Sequence, residues 1–467
     1  MPTSKDLLRY ANLLALFVLL LPVFIYPAYL LEGLGQPIFI PDGEKVHLVP
    51  RLLLLALTAL MGWRFWRAKG LFGGLLLGYM APVILSTLNT SDPGGWAFLL
   101  FGPKARMDGP VYQALLVLLG LAAYNALRLQ VALMERLLWA LVVAGSVQAV
   151  LVSLQRLGFD PIGHIIGGSP YEEPMGSMGH IGVAAGLFMV VVLVLLRMLE
   201  REGAIPLRAV LFLLLMLNSV GLGVTQNRAA VYALLLSLLL FLATAPSWRR
   251  ALLGAVVATA IFFGPNLLLG PPPYERGYTN MDTLKSRLVM WQFVPEVMSH
   301  IRGAPLLGGG SDAFLLILTE HFSAERLLEF YRVEYKWPAN AVVQQIESLP
   351  PLEKGRERIL KVRFSQYGEQ RDFQATYLVG LDKAHNMFLD RMIAYGLFAS
   401  LIWGFLLIYP VYLLWKRKGL QDSLWLVLPA IGTYYMAWFP VVQLEPIFTL
   451  LIAAVWASAE ANRGRLS

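Results

Sequence analysis

The sequence contains no cysteine among its 467 residues, and this absence excludes several kinds of site. Disulfide bonds, iron–sulfur clusters and cysteine-bound zinc all need cysteine sulfur. Charged residues are also scarce, since Asp, Glu, Lys and Arg make up 15% of the chain, against about 25% in a soluble globular domain. The six histidines include no pair at i, i+4 spacing and no HExxH motif, so we expect neither a metal ion nor another cofactor.

Long apolar runs take the place of the missing charge. Hydrophobic residues make up 57% of the sequence, and its mean hydropathy is +0.61. Runs of about 17 to 25 apolar residues are long enough for an α-helix to cross roughly 30 Å of hydrocarbon. The sequence therefore predicts an all-α polytopic membrane protein with about twelve transmembrane helices. The predicted crossings are residues 13–31, 46–65, 71–88, 109–127, 137–154, 181–196, 209–224, 229–244, 251–269, 387–414, 424–441 and 446–458.

The distribution of positive charge predicts the orientation in the membrane. The formal net charge is +8, and short cytoplasmic loops of membrane proteins are enriched in Lys and Arg. With the N-terminus in the cytoplasm, every second loop is basic, and both termini are then predicted to lie in the cytoplasm. Because orientation accounts for most of the positive charge, the charge gives no indication of nucleic-acid binding. The basic segments contain Arg64, Arg67 and Lys69; Arg128 and Arg136; Arg197, Arg201 and Arg208; Arg249 and Arg250; Lys416, Arg417 and Lys418; Arg463 and Arg465.

One outer segment is too polar to cross a membrane, and we call it the loop domain (residues 270–385). It separates the first nine predicted helices (1–269) from the last three and the tail (386–467). Loops of this length are uncommon and are usually functional, as lids or binding surfaces. Within the loop domain, the apolar periodicity predicts helices at 286–301, 320–331 and 341–346, and a pair of strands within 363–376.

Three ionisable residues are expected at the same outer face of the membrane. Arg228 lies in a very short outer turn, Arg287 follows the ninth crossing, and His385 precedes the tenth. Ionisable groups near hydrocarbon are costly and tend to mark functional sites. Histidine has an unperturbed pKa that suits proton transfer at neutral pH. We therefore predict that Arg228, Arg287 and His385 are catalytic.

Each of these residues also has a purely structural interpretation. Arg228 could simply extend to lipid headgroups, and Arg287 could form an ion pair with Asp282 or Glu296. A histidine directly before a helix, as His385 is, can be a capping residue.

Four further residues adjoin the predicted catalytic residues along the sequence or at the same face. We predict that they bind substrate, although a helix-start role is the stronger interpretation for the histidine among them. They are Gln226, Asn386, His180 and Trp291.

Four short motifs follow one another in the second half of the chain. They are Asn227-Arg228-Ala229, Arg287 to Trp291, Gly303 to Gly310 with Phe314, and His385-Asn386 with Ala394-Tyr395-Gly396. Their order, across residues 207–407, resembles that in the O-antigen ligase and O-antigen polymerase superfamily of bacterial inner-membrane glycosyltransferases. Asn227 and Ala229 stand where that family commonly has Ser and Gly, and Tyr395 stands where an acidic residue is common. Arg228 itself matches the family.

The resemblance implies a GT-C-like helical fold and a defined reaction. An O-antigen ligase transfers a glycan from undecaprenyl pyrophosphate to a lipid A-core acceptor at the periplasmic face, without a metal ion and with inversion of the anomeric carbon. Membrane lipids would be the other partners. In this reaction Arg228 and Arg287 would neutralise the leaving pyrophosphate. His385 would take the proton of the acceptor hydroxyl, and Asn386 would orient the histidine or the glycan.

Two groups of alternatives remain open at this point. Within the same chemistry, the chain could be an O-antigen or exopolysaccharide polymerase, or a protein O-oligosaccharyltransferase. In a different class, it could be a twelve-helix transporter or lipid flippase, which would show internal repeats and ionisable groups within the bilayer. The sequence shows no internal repeat, and the polar residues expected inside the bundle, such as Gln148 and Asn218, are uncharged.

Overall fold

A computed structural model describes residues 3–24, 43–90, 96–102, 107–130, 132–162, 174–244, 247–270, 282–334, 341–349, 358–366, 372–379, 383–416 and 422–461. The helices before the loop domain are α1 (Ser4–Leu20), α2 (Gly43–Met61), α3 (Gly70–Leu88), α4 (Trp96–Phe101), α5 (Pro110–Leu129), α6 (Ala132–Arg156), α7 (Ile181–Arg201), α8 (Ile205–Thr225), α9 (Arg228–Thr244), α10 (Trp248–Phe262) and α11 (Gly264–Leu269). The loop domain contains α12 (Asp282–Ser299), α13 (Ala313–His321), α14 (Ala324–Glu334), β1 (Ala341–Leu349), β2 (Arg358–Gln366) and β3 (Asp372–Val379). After it come α15 (Met387–Tyr395), α16 (Leu397–Lys416), α17 (Val427–Tyr435) and α18 (Glu445–Ala461).

Helix α7 forms the centre of a helical bundle. It is apolar on all sides, and every residue from 181 to 198 is buried, as expected of a helix that is surrounded by other helices. Helices α6, α8, α9 and α17 pack against it. Farther out, α1 packs on α6, α5 packs on α18, and α16 packs on α3.

The bundle has the helices of a membrane protein. Among the described residues, α3, α5, α6, α7, α8 and α16 are long and apolar enough to cross a membrane, judged by length and composition. Helix α9 and residues Leu48–Met61 of α2 are apolar but shorter. These helices confirm the predicted class, a helical membrane protein.

Five of the predicted crossings are not single continuous helices among the described residues. Two of them end early as α-helices, since α1 ends at Leu20 within the run 13–31 and α2 ends at Met61 within the run 46–65. The predicted helix at 387–414 is interrupted at Gly396, which has φ +87° and lies between α15 and α16. Glycine is required there because a Cβ atom would clash with the carbonyl oxygen of Leu306. The predicted run at 251–269 is divided at Phe263, and the run at 424–441 ends as a helix at Tyr435.

The loop domain combines three helices with a small antiparallel sheet in the order β1-β2-β3. The predicted helix at 286–301 is confirmed as α12, and the predicted strand pair is confirmed as β2 and β3 with wider bounds. The predicted helix at 341–346 is wrong, since these residues belong to β1, where Ile346 pairs with Val362 of β2. The secondary structure of such a short segment depends more on pairing with a neighbouring strand than on local sequence preference. The predicted helix at 320–331 is divided into α13 and α14.

Two of the sequence motifs meet through their backbones at the base of the loop domain. The glycine-rich run 303–310 is a turn that lies against the junction of α15 and α16. Gly308 also touches this junction so closely that a Cβ atom would clash with the backbone of Ala394. The hydrogen bonds run from Gly309 N to Ile393 O at 2.9 Å, from Gly310 N to Ala394 O at 2.9 Å, and from Leu397 N to Pro305 O at 2.8 Å.

A buried ion pair joins α15 to α18 inside the bundle. Arg391 and Glu445 are paired with almost no side-chain exposure. Arg391 donates a hydrogen bond to the Tyr79 hydroxyl, and the Tyr112 hydroxyl donates one to Glu445 at 2.9 Å. The guanidinium carbon also lies 4.2 Å from the centre of the Trp403 ring. The expectation that the buried polar residues are uncharged is therefore wrong for this pair, which is supported by hydrogen bonds on both sides.

We expect Glu445→Gln to destabilise the protein by about 3 to 5 kcal/mol, because it leaves the Arg391 charge buried without a counter-charge. Unfolding in detergent micelles by denaturant measures the change. Glu329→Gln is the matched control, since it removes the same charge from an exposed pair with Arg326 and should cost less than about 1 kcal/mol. Equal losses of stability in the two variants would contradict the importance of the buried pair.

Candidate functional site

The turn between α8 and α9 presents Arg228 at the beginning of a helix. Gln226 ends α8 in the left-handed conformation, with φ 49°, so the chain reverses direction within two residues. The Asn227 side chain accepts a hydrogen bond from the Ala230 amide at 3.1 Å and thereby caps α9. Asparagine caps helices as well as serine does, so Asn227 forms the same kind of cap as the serine that is common at this position of the resembling motif.

A cavity of about 190 Å³ brings Arg228 and Arg287 together. It lies where the starts of α7 and α9 meet α12 and the segment after α17. Helix starts carry partial positive charge from their free N–H groups, which adds to the charge of the two arginines. Among the described residues, its lining contains no carboxylate; the residues are His180, Gln226, Asn227, Arg228, Ala229, Tyr232, Leu284, Arg287, Ala437 and Trp438.

The environment of Arg287 favours an anionic ligand. Burial lowers the pKa of its guanidinium, the positive charge of Arg228 lowers it as well, and Tyr434 and Glu334 act in the opposite direction. Its Nε atom is buried and has no hydrogen-bond partner among the described residues. An anion in the cavity would offset both the mutual repulsion of the arginines and the unsatisfied donor.

The predicted structural partners of Arg287 are not found in the described part of the chain. Glu296 pairs instead with Arg326, at 3.4 Å, and the side chain of Asp282 lies outside the described residues. The ring of Trp438 is the aromatic neighbour, with its centre 5.8 Å from the guanidinium carbon of Arg287.

Trp438 connects the arginine cavity to both site histidines. The centre of its indole lies 5.0 Å from the His180 ring and 6.1 Å from the His385 ring. The indole packs on the first turn of α7 at Gly182, where a Cβ atom would clash with the ring. The side chain is buried, and Nε1 has no hydrogen-bond partner among the described residues. The Trp438 indole therefore closes one side of the cavity, and its Nε1 donor is unsatisfied among the described residues.

His385 lies beyond the cavity lining, on the Trp438 side of it, and its ring is 4.8 Å from that of Phe439. Its backbone is left-handed, with φ 55°, a conformation that costs a non-glycine residue about 1 to 3 kcal/mol. The preceding residue, Ala384, is held from two sides: the Trp291 indole donates to its carbonyl at 2.9 Å, and its amide donates to the Asp390 carboxylate at 2.6 Å. These bonds fix the strained conformation.

The structure separates the predicted substrate-binding residues into two groups. Gln226 and His180 line the cavity. His180 also caps α7, because its Nδ1 atom accepts a hydrogen bond from the Gly182 amide at 2.9 Å.

Asn386 caps α15 by accepting hydrogen bonds from the amides of Phe388 and Leu389, and its side-chain amide donates to the Met436 carbonyl at 3.0 Å. Trp291 does not line the cavity but supports the residue before His385. Both Asn386 and Trp291 therefore hold backbone in place.

Two residues of this site were missed by the sequence analysis. Trp438 lies in a run that was predicted to be the end of a crossing, so its aromatic side chain looked like one more apolar residue. Asp390 does not stand out in the sequence, because the resembling motif commonly has its acidic residue at the position of Tyr395. Helical spacing was an available signal, since Asp390 lies in the first turn of the helix that follows His385.

Neither protein-family models nor curated proteins match this chain. Among the described residues, no group of three Asp, Glu or His side chains is arranged to hold a metal ion. The described site contains two arginines and two histidines near one indole. This arrangement can bind a compact dianion or trianion through the guanidinium groups and can place an imidazole beside it.

We expect the purified protein to bind inorganic pyrophosphate and Arg287→Ala to weaken that binding about 10- to 100-fold, because a hydrogen bond to a charged group contributes about 1.5 to 3 kcal/mol. Isothermal titration in detergent measures the dissociation constant. Lys285→Ala is the matched control, since it removes a charge from the exposed side of the same helix. If both variants bind pyrophosphate as the unchanged protein does, the cavity is not an anion site.

Proposed function

We propose that the protein transfers a glycan from a polyprenyl pyrophosphate, undecaprenyl pyrophosphate in bacteria, to an acceptor hydroxyl outside the cytoplasm. One observation carries the proposal: a cavity whose described lining has two arginines and no carboxylate lies beside an indole that also packs near His385. The resemblance of the four motifs to the O-antigen ligase and polymerase superfamily points to the same reaction.

The arginines suit the leaving group of this reaction. When the bond between the anomeric carbon and the phosphate oxygen breaks, negative charge develops on the pyrophosphate. Arg228 and Arg287 supply fixed positive charge and donors that can engage phosphate oxygens in pairs. Because the Arg287 Nε atom is already buried, its interaction with the anion is strengthened by the low local dielectric constant.

His385 suits the role of general base for the acceptor hydroxyl. The acceptor oxygen attacks the anomeric carbon, the imidazole takes the hydroxyl proton, and the electron pair of the broken bond goes to the pyrophosphate. A single in-line attack inverts the anomeric centre. The bond that breaks would lie beside Trp438, between the arginines on one side and His385 on the other. The backbone held by Trp291 and Asp390 keeps the imidazole in position, which contributes to catalysis through orientation.

We propose that about twelve helices cross a bacterial inner membrane in a GT-C-like arrangement, with both termini in the cytoplasm and the site at the periplasmic face. Six long apolar helices and two shorter apolar segments support this arrangement. The alternation of basic loops supports its orientation. Under this arrangement, α3 and α5 each run from the basic loops to the level of the loop domain.

The preferred acceptor is lipid A-core, which makes the protein an O-antigen ligase whose other partners are the lipid-linked glycan and membrane lipids. A growing glycan would make it a polymerase, and a protein hydroxyl would make it a protein O-oligosaccharyltransferase. These acceptors share the donor site and the base, so they differ only in what docks beside His385.

We expect wild type to restore glycan-capped lipid A-core in cells that lack their own ligase, and His385→Ala and Arg228→Lys to abolish capping at matched expression. Loss of a general base lowers rates about 10² to 10⁴-fold, and lysine cannot replace the paired donors of arginine. Electrophoresis of the lipopolysaccharide measures capping. His321→Ala is the control, because this exposed histidine stacks on His300 in the loop domain.

Other results would change the assignment in defined ways. Restored glycan length without capping would indicate a polymerase, and glycan on a protein would indicate an oligosaccharyltransferase. Normal capping by both variants would contradict the proposed site. Movement of the lipid-linked glycan across the membrane with no transfer to any acceptor would indicate a transporter.

A further inference from the structure

A second cavity lies at the opposite end of the bundle from the candidate site. Helix α3 begins at Lys69 and Gly70 beside this cavity, and at its other end Asn89 donates to the carbonyls of Arg302 and Gly308 in the loop domain. Since α3 has 19 residues, its two ends are about 28 Å apart. The second cavity is thus separated from the first by the thickness of a bilayer core.

This basic cavity has a volume of about 380 Å³ and is lined by Arg64, Phe65, Arg67, Lys69, Asn125, Arg128 and Leu129. Four of these lining residues are cations, and no carboxylate lines the cavity in the part of the chain that the structure describes. The cavity is therefore a local excess of positive charge at the protein surface.

Two of the four cations are already paired from outside the lining. Arg64 forms an ion pair with Asp6 at 2.7 Å, and Arg128 lies 3.6 Å from Glu460. No ion pair to Arg67 or Lys69 is found in the part of the chain that the structure describes. About two positive charges are thus uncompensated, which corresponds to one or two phosphodiester groups.

The wall of the basic cavity is built by specific hydrogen bonds. The Asn125 amide of α5 donates to the carbonyls of Phe65 and Arg67, at 2.7 Å each. The Trp66 indole donates to the carbonyl of Ala59 at 2.9 Å. These bonds fix the loop between α2 and α3 across the end of α5, so the cations are held around a common space.

Apolar side chains flank the basic cavity. Leu129 lines it and is 62% exposed, and the neighbouring Trp63 is 61% exposed with the Arg64 guanidinium over its ring. Tryptophan is enriched at the level of lipid headgroups. Exposed apolar groups next to a basic cavity are matched by a ligand that has both an anionic group and hydrocarbon chains.

We propose that the basic cavity binds the phosphodiester headgroup of an anionic phospholipid, with Arg67 and Lys69 as the principal phosphate-binding residues. The lipid's chains would lie along the exposed apolar residues. This inference does not depend on the proposed function, since the basic cavity is at the other end of α3 and α5 and shares no residue with the candidate site.

Native mass spectrometry of the detergent-purified chain with phosphatidylglycerol or phosphatidylcholine tests the proposal. The Arg67→Ala, Lys69→Ala double variant should bind phosphatidylglycerol about 25-fold more weakly, since each cation near an anionic lipid contributes about a five-fold factor in affinity. Arg249→Ala is the matched control, because Arg249 belongs to another predicted basic loop and contacts Trp248 instead. The double variant and the control variant change only exposed side chains. Both should therefore leave the unfolding temperature in lipid-free detergent unchanged.

The proposal stands if phosphatidylglycerol binds, phosphatidylcholine does not, and only the double variant loses the bound lipid. Equal binding of the two lipids, or equal retention of phosphatidylglycerol by wild type and double variant, would overturn it. A separate titration with inorganic phosphate distinguishes a soluble anion from a lipid. If phosphate alone displaces phosphatidylglycerol at millimolar concentration, the basic cavity is a site for a soluble anion and the lipid assignment is wrong.

Discussion

The packing of the Trp438 ring against Gly182 is the constraint on which the candidate site depends. It brings together segments that are far apart in the sequence: the start of α7, Arg287 on α12, and His385 at the end of the loop domain. None of these segments alone would form a site. Because the indole is buried and large, small shifts in any one segment are resisted by the others, which is how a packed core keeps functional groups in register.

Two buried ion pairs hold the chain segment around His385. Lys383, two residues before His385, pairs with Asp108 at 2.7 Å, and Arg391, six residues after it, pairs with Glu445. The segment that carries the strained His385 is therefore tied to the bundle on both sides. Ion pairs of this kind contribute little net stability compared with apolar packing, but breaking one partner is costly. We interpret them as the elements that hold the His385 segment in a single conformation.

The helical class and the position of Arg228 in a tight turn could be predicted from the sequence, because both depend on local patterns. The convergence of Arg228 with Arg287 could not, because it depends on how α9 and α12 pack in the fold. Long apolar runs predict helices, and the short turn at Arg228 leaves that side chain little choice of location. The broken helix at Gly396, the strand β1 and the partners of Trp438 could not be predicted in this way. Each depends on a contact between distant segments: Leu306 against Gly396, β2 against β1, and Gly182 against the indole.

The pattern of positive charge along the sequence indicates orientation in the membrane, but it does not indicate which cations lie together in the fold. The structure places four cations of the basic loops around one cavity, where Asn125 donates to the carbonyls of Phe65 and Arg67. No local pattern contains these two hydrogen bonds. At the other end, Asn386 and Trp291 stood out as substrate-binding candidates by sequence, and the structure shows them as supports for the backbone around His385. Spacing along the chain identifies which residues are near a site more readily than it identifies their roles.

The proposed reaction requires that Arg228 and Arg287 hold the pyrophosphate of a lipid-linked donor beside Trp438. Electron cryomicroscopy of the protein with undecaprenyl pyrophosphate in a nanodisc tests this requirement. We expect phosphate density within hydrogen-bonding distance of both guanidinium groups and next to the indole. Density for the pyrophosphate elsewhere, with the arginine cavity occupied only by water, would contradict it.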